Sequence, residues 1–388
     1  MHKRYLTGVV TLLMALLTSC GGGGGVGSGG TGISAGASGV GIGSISGFGS
    51  IIVSDIRYNI DSAAVTLDDA SALKLGMTVR VEGSVNPDLS TGTAARVASA
   101  AEMRGQVSAI DAGSLSFVVL GNTVTVDEAT IFDGAAGFAS LANADTVLVY
   151  GLPSEPGSLR ATRVERVAAG AAPVVTGRIE SLDTRASTLR IGQLTIDYAA
   201  AGFTDGLTSH SLVNGLLVRV RATQPPGAGG LSATRIQPWH SVPGVTGTSV
   251  SLAGVMTDFA SLGSFKLLGI SMDASAAQVT GGPANAIGNG VKIEVTGVMN
   301  NGIVAVSKLK LKNIPGTGGP ASFSLTGAIG NHVSAANFRV QGQPVDASGA
   351  GVIFGNGSVG DLANGVKVTV LGSQVINGAL IASRVTFD

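Results

Sequence analysis

The sequence predicts an all-β protein of five tandem small antiparallel β-barrel modules, and three observations lead to this prediction. One eleven-residue pattern occurs five times: an apolar residue, a short turn ending in glycine, and a strand ending in glycine. Residues alternate within each copy, so that Val368 and Val370 face inward while Lys367 and Thr369 face outward. The 60 glycines and only 12% charged residues are typical of a β protein rich in tight turns. The five copies lie at residues 73–83, 141–151, 212–222, 287–297 and 362–372.

The first element is an export signal at residues 1–19. Lys3 and Arg4 form a basic start, and the apolar run that follows is shorter than the roughly 20 residues that span a bilayer. The run ends in Leu17-Thr18-Ser19-Cys20, which resembles the lipobox of bacterial lipoproteins. The resemblance implies cleavage between Ser19 and Cys20 and lipidation of Cys20. By the same analogy Gly21, in place of an aspartate, favours the outer membrane. The alternative is an ordinary secretory signal followed by an incidental cysteine.

Cys20 is the single cysteine, so an intrachain disulfide is excluded. It begins a segment at residues 20–39 that is almost entirely Gly, Ser, Thr and Ala, which we interpret as a flexible tether. Five modules follow the tether, and Pro- and Gly-rich seams separate the later ones. We number the modules 1 to 5, and their predicted ranges are 40–104, 105–173, 174–244, 245–320 and 321–388.

Two glycines of the repeated pattern are predicted to have structural roles. The first follows the short turn, where we expect a positive φ that other residues adopt only at a cost. It is replaced once, by Ala144, and the second glycine, which ends the following strand, is replaced once, by Ala222. The remaining copies are Gly76, Gly215, Gly290 and Gly365 at the first position and Gly83, Gly151, Gly297 and Gly372 at the second.

Each module offers about five short strands with Gly or Asn turns, and one helical turn before the fourth strand. This pattern fits a small antiparallel barrel that closes on itself, because closure removes the exposed sheet edges of a tandem β protein. The strand order resembles that of an OB-fold, a likeness of fold that implies no function. The alternative architecture is a β-sandwich built from pairs of modules.

Module 1 also contains Ser46-Gly47-Phe48-Gly49-Ser50, followed by Leu73-Lys74-Leu75-Gly76 and Gly92-Thr93-Ala94. With these motifs the chain resembles a family of tandem exported bacterial repeats known as a domain of unknown function, numbered five-six-six-six. The resemblance is best in module 1 and looser in module 3, where Ala222 departs from the pattern. It implies an envelope lipoprotein with repeated β modules, and it brings no catalytic residues.

The spacing of the histidines in the sequence differs from that of a metal site or a hydrolase active site. His210, His240 and His332 fall in separate loops or seams, with no cysteine or second histidine at the spacing of a zinc site. We interpret all three as surface histidines. Gly47-Phe48-Gly49-Ser50 superficially resembles a nucleophile elbow, but it lies in a β-hairpin region rather than between a strand and a helix. The sequence therefore predicts no catalytic residue, no metal site and no cofactor.

One Asx residue ends the third strand of every module, and it has two interpretations. The functional one is a shared calcium or sugar ligand, and the structural one is a side chain that caps the following turn. We favour the cap, because calcium usually takes six or more oxygens and each module supplies one such residue. The densest acidic pair, Asp68-Asp69, occurs in module 1 alone. The Asx residues are Asn59, Asp127, Asp197, Asp273 and Asp346.

Module 3 is rich in arginine, which raises the question of nucleic-acid binding. Arg219 and Arg221 are predicted on one face of a strand, and we interpret this face as solvated. Proteins that bind single strands expose aromatic side chains beside such charges. Here Phe117, Phe265 and Phe338 instead hold one equivalent strand position in the repeat. Nucleic acid is therefore a disfavoured partner, and the formal net charge of zero predicts no polyanionic partner.

These features together predict a lipid-anchored, non-enzymatic array of β modules at the cell envelope. The protein would be exported and held at the outer membrane, facing the periplasm or the cell surface, with a structural or adhesive role toward an unidentified envelope or extracellular ligand. The first alternative is an OB-type binder of polysaccharide or nucleic acid, and the second is an unrecognised hydrolase. If each module closes its own barrel, stability is local, and we expect module 5 to fold alone.

Overall fold

The computed structural model describes residues 37–86, 88–312 and 322–388. Within these residues every long element is a β-strand, and the helical elements are 3-10 turns of three residues. The all-β prediction is therefore confirmed. The predicted signal at 1–19, the lipidation site Cys20 and most of the tether lie outside the described residues.

Modules 1 and 2 each contain six strands, and a 3-10 turn at Phe138–Ser140 precedes the fifth strand of module 2. The strands of module 1 are β1 (Ala37–Phe48), β2 (Ile51–Val53), β3 (Ile56–Asn59), β4 (Ala64–Leu67), β5 (Thr78–Val85) and β6 (Thr91–Ser99). Those of module 2 are β7 (Met103–Asp111), β8 (Ser116–Val119), β9 (Asn122–Thr125), β10 (Ile131–Asp133), β11 (Thr146–Pro153) and β12 (Ser158–Arg166). β1 begins inside the segment that the sequence analysis assigned to the tether.

Modules 3 to 5 follow the same plan, although the first and last strands of module 3 are each split in two. The strands of module 3 are β13 (Val174–Arg178), β14 (Glu180–Asp183), β15 (Thr188–Ile191), β16 (Leu194–Asp197), β17 (Gly202–Phe203), β18 (Leu217–Arg221), β19 (Leu231–Ser232) and β20 (Arg235–Pro238). Those of module 4 are β21 (Ser249–Ser261), β22 (Ser264–Leu267), β23 (Ile270–Asp273), β24 (Gln278–Thr280), β25 (Lys292–Asn300) and β26 (Ile303–Lys312). Those of module 5 are β27 (Phe323–Ser334), β28 (Asn337–Val340), β29 (Gln343–Asp346), β30 (Ile353–Gly355), β31 (Lys367–Ile376) and β32 (Ala379–Phe387). Their 3-10 turns are Ser209–Ser211, Ala284–Ala286 and Val359–Asp361.

Each module closes into its own small barrel, as predicted. In module 5, β27 pairs with β28, β28 with β29, β29 in parallel with β32, β32 with β31, and β31 again with β27. Module 1 forms the same ring with β1, β2, β3, β6 and β5. The short strand β30 pairs with the second half of β32, outside the ring. The ring is OB-like, and the short strand with its 3-10 turn takes the place of the helix of that fold.

The repeated turn locks the first strand of each barrel to the fifth. The residue after the turn has a positive φ in all five modules, the conformation expected for it, and this φ is 85° at Gly365 and 71° at Ala144. The Gly365 N–H donates to the carbonyl of Ile329 at 2.8 Å, and the same bond recurs in every module. In module 5 the Asn364 side chain also accepts the His332 N–H at 2.8 Å. Asn-Gly therefore suits this turn because the glycine adopts the left-handed conformation and the asparagine ties the turn to the first strand.

The second repeated glycine lies at a β-bulge between the fifth and sixth strands. The strand register shifts at Gly83, Gly151, Gly297 and Gly372. A Cβ atom at Gly151 would lie only 2.7 Å from the Arg160 carbonyl oxygen. The bulge bends the strand and allows the ring to close. Ala222 is tolerated in module 3 because the pairing of β18 with β20 ends before it, at Arg221.

The five barrels are fused around module 1. β1 pairs in parallel with β21 of module 4, where Gly39 faces Ser249, and with β27 of module 5, where Gly47 faces Ser324. Modules 2 and 3 pair through β7 and β13, and modules 2 and 5 through β10 and β31. One continuous hydrophobic core combines residues of modules 1 and 5, Ile45 and Phe387 among them. Module 5 therefore packs against module 1 through this core, and its independent folding stays a prediction.

In the run Gly39-Val40-Gly41-Ile42-Gly43, β1 packs against two modules, one on each face of the strand. Val40 and Ile42 are buried in the core of module 4. The glycines allow module 1 to pack closely, because a Cβ at Gly41 would lie 2.6 Å from Tyr58 Oη. A strand presents alternate residues to opposite faces, so the glycine and branched residues separate by face. The predicted boundary between tether and module 1, at residues 39 and 40, falls inside this run.

Candidate functional site

A buried network of charged side chains joins modules 1 and 3. The fully buried Arg219 donates to the Ala101 carbonyl at 3.0 Å, to Asp68 Oδ2 at 3.2 Å and to Asp69 Oδ2 at 2.7 Å. Its guanidinium carbon also lies 5.0 Å from the centre of the Trp239 ring. The prediction that Arg219 lies on a solvated strand face is wrong, because β18 packs against module 1 and meets the acidic pair that follows β4.

Asp69 is the centre of this network. Its side chain is 1% exposed and accepts further hydrogen bonds from Arg104 Nη1 at 3.2 Å and from the Ala101 N–H at 3.0 Å. Asp68 is more exposed and accepts from Arg221 Nη2 at 2.7 Å. Burial raises the pKa of Asp68, but the hydrogen bond and charge of Arg221, with the other arginines, outweigh burial and hold this pKa below 3.8.

Burial also lowers the pKa of Arg219, to about 10, so the guanidinium remains charged at neutral pH. A charge taken out of water needs a partner in good geometry, and Asp68 and Asp69 together supply it. The network therefore has the properties of a structural connection between modules rather than of a site with a free reactive group.

A second buried pair lies beside this network. His240 Nε2 is 2.7 Å from Glu102 Oε1, and the two side chains are 3% and 0% exposed. The prediction that His240 is a surface residue is wrong, because the seam between modules 3 and 4 folds back against the start of module 2. The Thr78 hydroxyl donates to Glu102 Oε1 at 3.4 Å. None of the cavities described below is lined by either member of the pair.

The repeated turn of module 1 connects it to modules 2 and 5. Arg163 of module 2 is buried, donates to the Leu75 carbonyl at 3.1 Å and pairs with Asp133 and Glu165. Lys74 completes this group at 3.2 Å from Asp133 and 3.1 Å from Glu165. From module 5, the Gln343 amide donates to the Leu73 carbonyl at 3.0 Å. The repeated turn of module 1 thus contacts both module 2 and module 5.

The recurrent Asx residues cap turns, as the structural interpretation predicts. In each module the Asx Oδ1 accepts the backbone N–H of the residue two positions later, at 2.9 Å. The five acceptors are Asn59, Asp127, Asp197, Asp273 and Asp346. Across the described parts of the chain, no group of three or more His, Cys, Asp or Glu side chains is placed to hold a metal ion.

The remaining histidines are isolated from one another. His210 is exposed and lies beside Ser209, with 3.5 Å between Nδ1 and the hydroxyl oxygen. His332 packs against the Phe338 ring, with 6.2 Å between ring centres. Neither contacts a carboxylate in the described residues, so neither is oriented by an acid, whereas His240 pairs with the buried Glu102.

The second and third strands of each barrel form the face that OB-folds use for oligonucleotides and oligosaccharides. Phe117, Phe265 and Phe338 point from this hairpin into the cores and are buried. In the described modules, the central outward pair of the hairpin contains no aromatic residue. These cross-strand pairs are Ile52–Arg57, Val118–Thr123, Arg190–Thr195, Lys266–Ser271 and Arg339–Pro344.

A groove of about 1010 Å³ lies between module 1 and residues 243–248, and we call it the module 1 groove. Glu82 and Ser84 of β5 and Thr93 of β6 lie on one side of it, and Pro243 and Val245 lie on the other. Two smaller cavities, of about 310 and 260 Å³, lie between modules 2 and 3 and between modules 2 and 5. The groove is therefore the best candidate for a ligand site.

Comparison with known proteins adds the family. The family described as Domain of unknown function (DUF5666) matches residues 42–98, 104–165, 176–237 and 326–386, which correspond to modules 1, 2, 3 and 5. No curated protein matches the chain. In the portion of the chain described by the structure, no helix has the length and apolar character needed to cross a membrane. Since the match extends over more than half of the sequence and falls on the repeated barrels, the chain belongs to the family DUF5666.

Proposed function

We propose that this protein is a lipid-anchored, non-enzymatic component of the cell envelope, in which five fused β-barrels form a rigid body with a structural or binding role. The observation that carries the proposal is the fusion itself. Modules 4 and 5 join module 1 by strand pairing. Module 3 joins it by the buried ion pair of Arg219 with Asp69, and module 2 joins it through the ion pairs of Lys74 and the hydrogen bond from Arg163 to the Leu75 carbonyl. Such a body holds its surfaces in constant relative positions, which suits a scaffold or a binding protein.

The use of the polar groups supports a non-enzymatic role. A hydrolase with a nucleophilic side chain needs a nucleophile, a base and an orienting group within hydrogen-bond reach of a cavity. In the described residues the buried charges named above instead lie at contacts between modules: Arg219 pairs with Asp69, His240 pairs with Glu102, and Arg163 donates to the Leu75 carbonyl of module 1. An unrecognised hydrolase is accordingly the weakest of the alternatives.

The lipobox-like sequence supports the anchor. Sixteen residues, nearly all Gly, Ser, Thr or Ala, separate Cys20 from β1. If these residues are the tether that their composition predicts, their root-mean-square span is roughly 20–25 Å, and an anchored body would remain close to the membrane surface.

The anchor is tested with Cys20→Ser, which we expect to abolish labelling with a radioactive fatty acid and to release the protein from membranes. The matched variant is Gly21→Asp. It should keep the label and move the protein from the outer-membrane to the inner-membrane fraction, because it introduces the aspartate associated with inner-membrane retention. Membrane fractionation of Cys20→Ser at the wild-type level would refute the lipoprotein proposal.

A second candidate function, binding of an envelope polysaccharide, is favoured by the module 1 groove. Nucleic acid is disfavoured because single-strand binders stack bases on exposed aromatics, whereas the hairpin faces described above present none. Capture experiments from envelope extracts, using the released Cys20→Ser protein, would distinguish a protein partner from a glycan. Retention of the protein on a single-stranded DNA column, decreasing as the salt concentration rises, would instead support the nucleic-acid alternative.

A further inference from the structure

We infer that the module 1 groove binds a neutral oligosaccharide chain. The inference depends on the proposed function only for the source of the ligand, a glycan of the envelope or its surroundings. Its basis is the groove itself: its size, its rigid walls, the free hydroxyl groups on one side and the apolar side chains on the other.

The groove is large and its walls are held in place. At about 1010 Å³ it lies at the upper end of small-molecule sites, which are typically about 300–1,000 Å³, so it accommodates several sugar rings. The Gly247 N–H donates to the Met299 carbonyl at 2.9 Å, and the Thr246 hydroxyl accepts the Asn301 N–H at 3.1 Å. Arg80 Nε donates to the Ser241 carbonyl at 3.1 Å, which ties the adjoining seam to module 1.

One side of the groove is rich in groups that form hydrogen bonds. The hydroxyls of Ser38, Ser62, Ser84 and Thr93 line it, and none of the four makes a hydrogen bond to another described residue. A hydroxyl both donates and accepts, which matches the hydroxyl groups of a sugar. Glu82 is held between Arg80 and Arg96, and Arg96 Nε lies 2.6 Å from Glu82 Oε2. The Glu82 carboxylate and the guanidinium groups of Arg80 and Arg96 thus hold one another in position.

The other side of the groove combines the apolar side chains of Pro243 and Val245 with Thr246 and Thr248. Val245 is 67% exposed, and Pro243 next to it is also exposed. A pyranose ring carries C–H groups on its faces and hydroxyls along its edge, so it can pack on Val245 while its hydroxyls reach Ser84 and Thr93. The absence of an aromatic residue from the lining predicts weak binding by each ring.

Two other classes of ligand fit the groove less well. A peptide that adds a strand needs a free sheet edge, but β1 is paired on both sides by β5 and β21, and β5 on both sides by β1 and β6. A polyanion needs unpaired positive charge, but Arg80 and Arg96 both pair with Glu82. A neutral oligosaccharide requires neither feature.

The test titrates the full chain, purified in a detergent without a sugar headgroup, with maltohexaose, cellohexaose and chitohexaose, and follows binding by saturation-transfer NMR. We expect at least one of these probes to bind with a Kd in about the millimolar range. Ala95→Trp should weaken that binding by about tenfold or more, because the exposed Ala95 lines the groove and the indole would fill it. The matched control is Ser383→Trp, at the equivalent exposed position of β32 in module 5, which should bind like the wild type.

A second pair of variants avoids any effect of the bulky indole on folding. Val245→Ser should weaken binding by about threefold through loss of the apolar contact, whereas Val333→Ser, at another exposed valine, should not. Circular dichroism melts establish that each variant is folded. Binding of none of the three probes to the wild type, or wild-type affinity in both Ala95→Trp and Val245→Ser, would overturn the inference. The anchor experiment with Cys20→Ser is independent of these results, so failure of the groove and failure of the envelope proposal are distinguishable.

Discussion

Modules 3 and 4 are joined to module 1 by different kinds of interaction. The joint with module 3 depends on side-chain charges, with Arg219 buried against Asp69. The joint with module 4 contains a backbone ladder, because β1 and β21 pair in parallel over four consecutive residues, together with partly exposed ion pairs of Asp55 with Lys310 and Lys312. The first therefore concentrates its free energy in a few side chains, whereas the second distributes it along a strand and is less sensitive to which side chains are present.

The two joints should fail in different ways. Removing one member of a buried ion pair leaves the other charge in a medium that solvates it poorly, which is costly. Replacing a residue of a backbone ladder leaves the hydrogen bonds possible, unless the new side chain does not fit. In β1 the fit is decided by glycines, because a Cβ at Gly43 would lie 2.8 Å from Ser54 Oγ and 3.1 Å from Ala253 Cβ.

The largest expected effect is that of Asp69→Ala. The substitution leaves Arg219 and Arg104 without their buried carboxylate, so we expect the free energy of unfolding to fall by about 3–5 kcal/mol. The measurement is chemical denaturation followed by fluorescence of Trp239, the single tryptophan, which lies against Arg219. Glu128→Ala, at an exposed carboxylate of module 2, is the control and should change stability little. Equal effects of the two would show that the ionic joint contributes nothing.

The next effect tests the backbone joint. Gly43→Val should cost about 1–3 kcal/mol, because the side chain would push module 1 away from module 4 where the two are closest. Gly244→Val is the matched control, since a Cβ at Gly244 meets nothing within 4 Å. Amide hydrogen exchange should show faster opening of β21 in Gly43→Val alone. Unchanged protection of β21 would mean that the ladder does not depend on the glycine.

A substitution inside one barrel provides a stability change with which the effects at the two joints can be compared. Gly365→Val should lower stability by about 1–2 kcal/mol through backbone strain, because φ is 85° there while the space around a Cβ is open. Lys367→Thr, on the exposed side of β31, should leave the melting temperature of the full chain unchanged. A melt in which both variants behave alike would place the turn in the wrong register.

The smallest expected effect is on the pH dependence of stability. The pKa of Asp68 is lowered in the folded protein, so its contribution to stability is present above 3.8 and is lost as pH falls through the lower folded value. The pKa of Asp55, which pairs with Lys310 and Lys312 of module 4, is lowered as well, so acid weakens both joints and Trp239 fluorescence reports the one with module 3. Asp68→Asn should remove part of this pH dependence. A wild-type acid transition that is identical in Asp68→Asn would assign the effect to other carboxylates.

The barrels could be predicted from the sequence because their determinants are local. The Asn-Gly turn, the Asx cap two residues from its partner and the alternation of residues such as Val368 and Lys367 all act within a few residues. The repeat shows each of them several times, so one ambiguous copy is clarified by the others. The candidate groove could not be predicted, because its two sides come from residues 38–96 and 243–248, which no local pattern brings together.

The sequence by itself determined the all-β class, the repeated barrel and the conformation of its turns, since steric limits on φ and the alternation of a strand operate whatever surrounds them. Only the tertiary structure decided which polar residues became buried. Arg219 reads as a solvated strand residue because its partner Asp69 lies 150 positions away. His240 reads as a seam residue because Glu102 is 138 positions away. A charged side chain is stable in the interior only beside its partner, and the docking of modules supplies that partner.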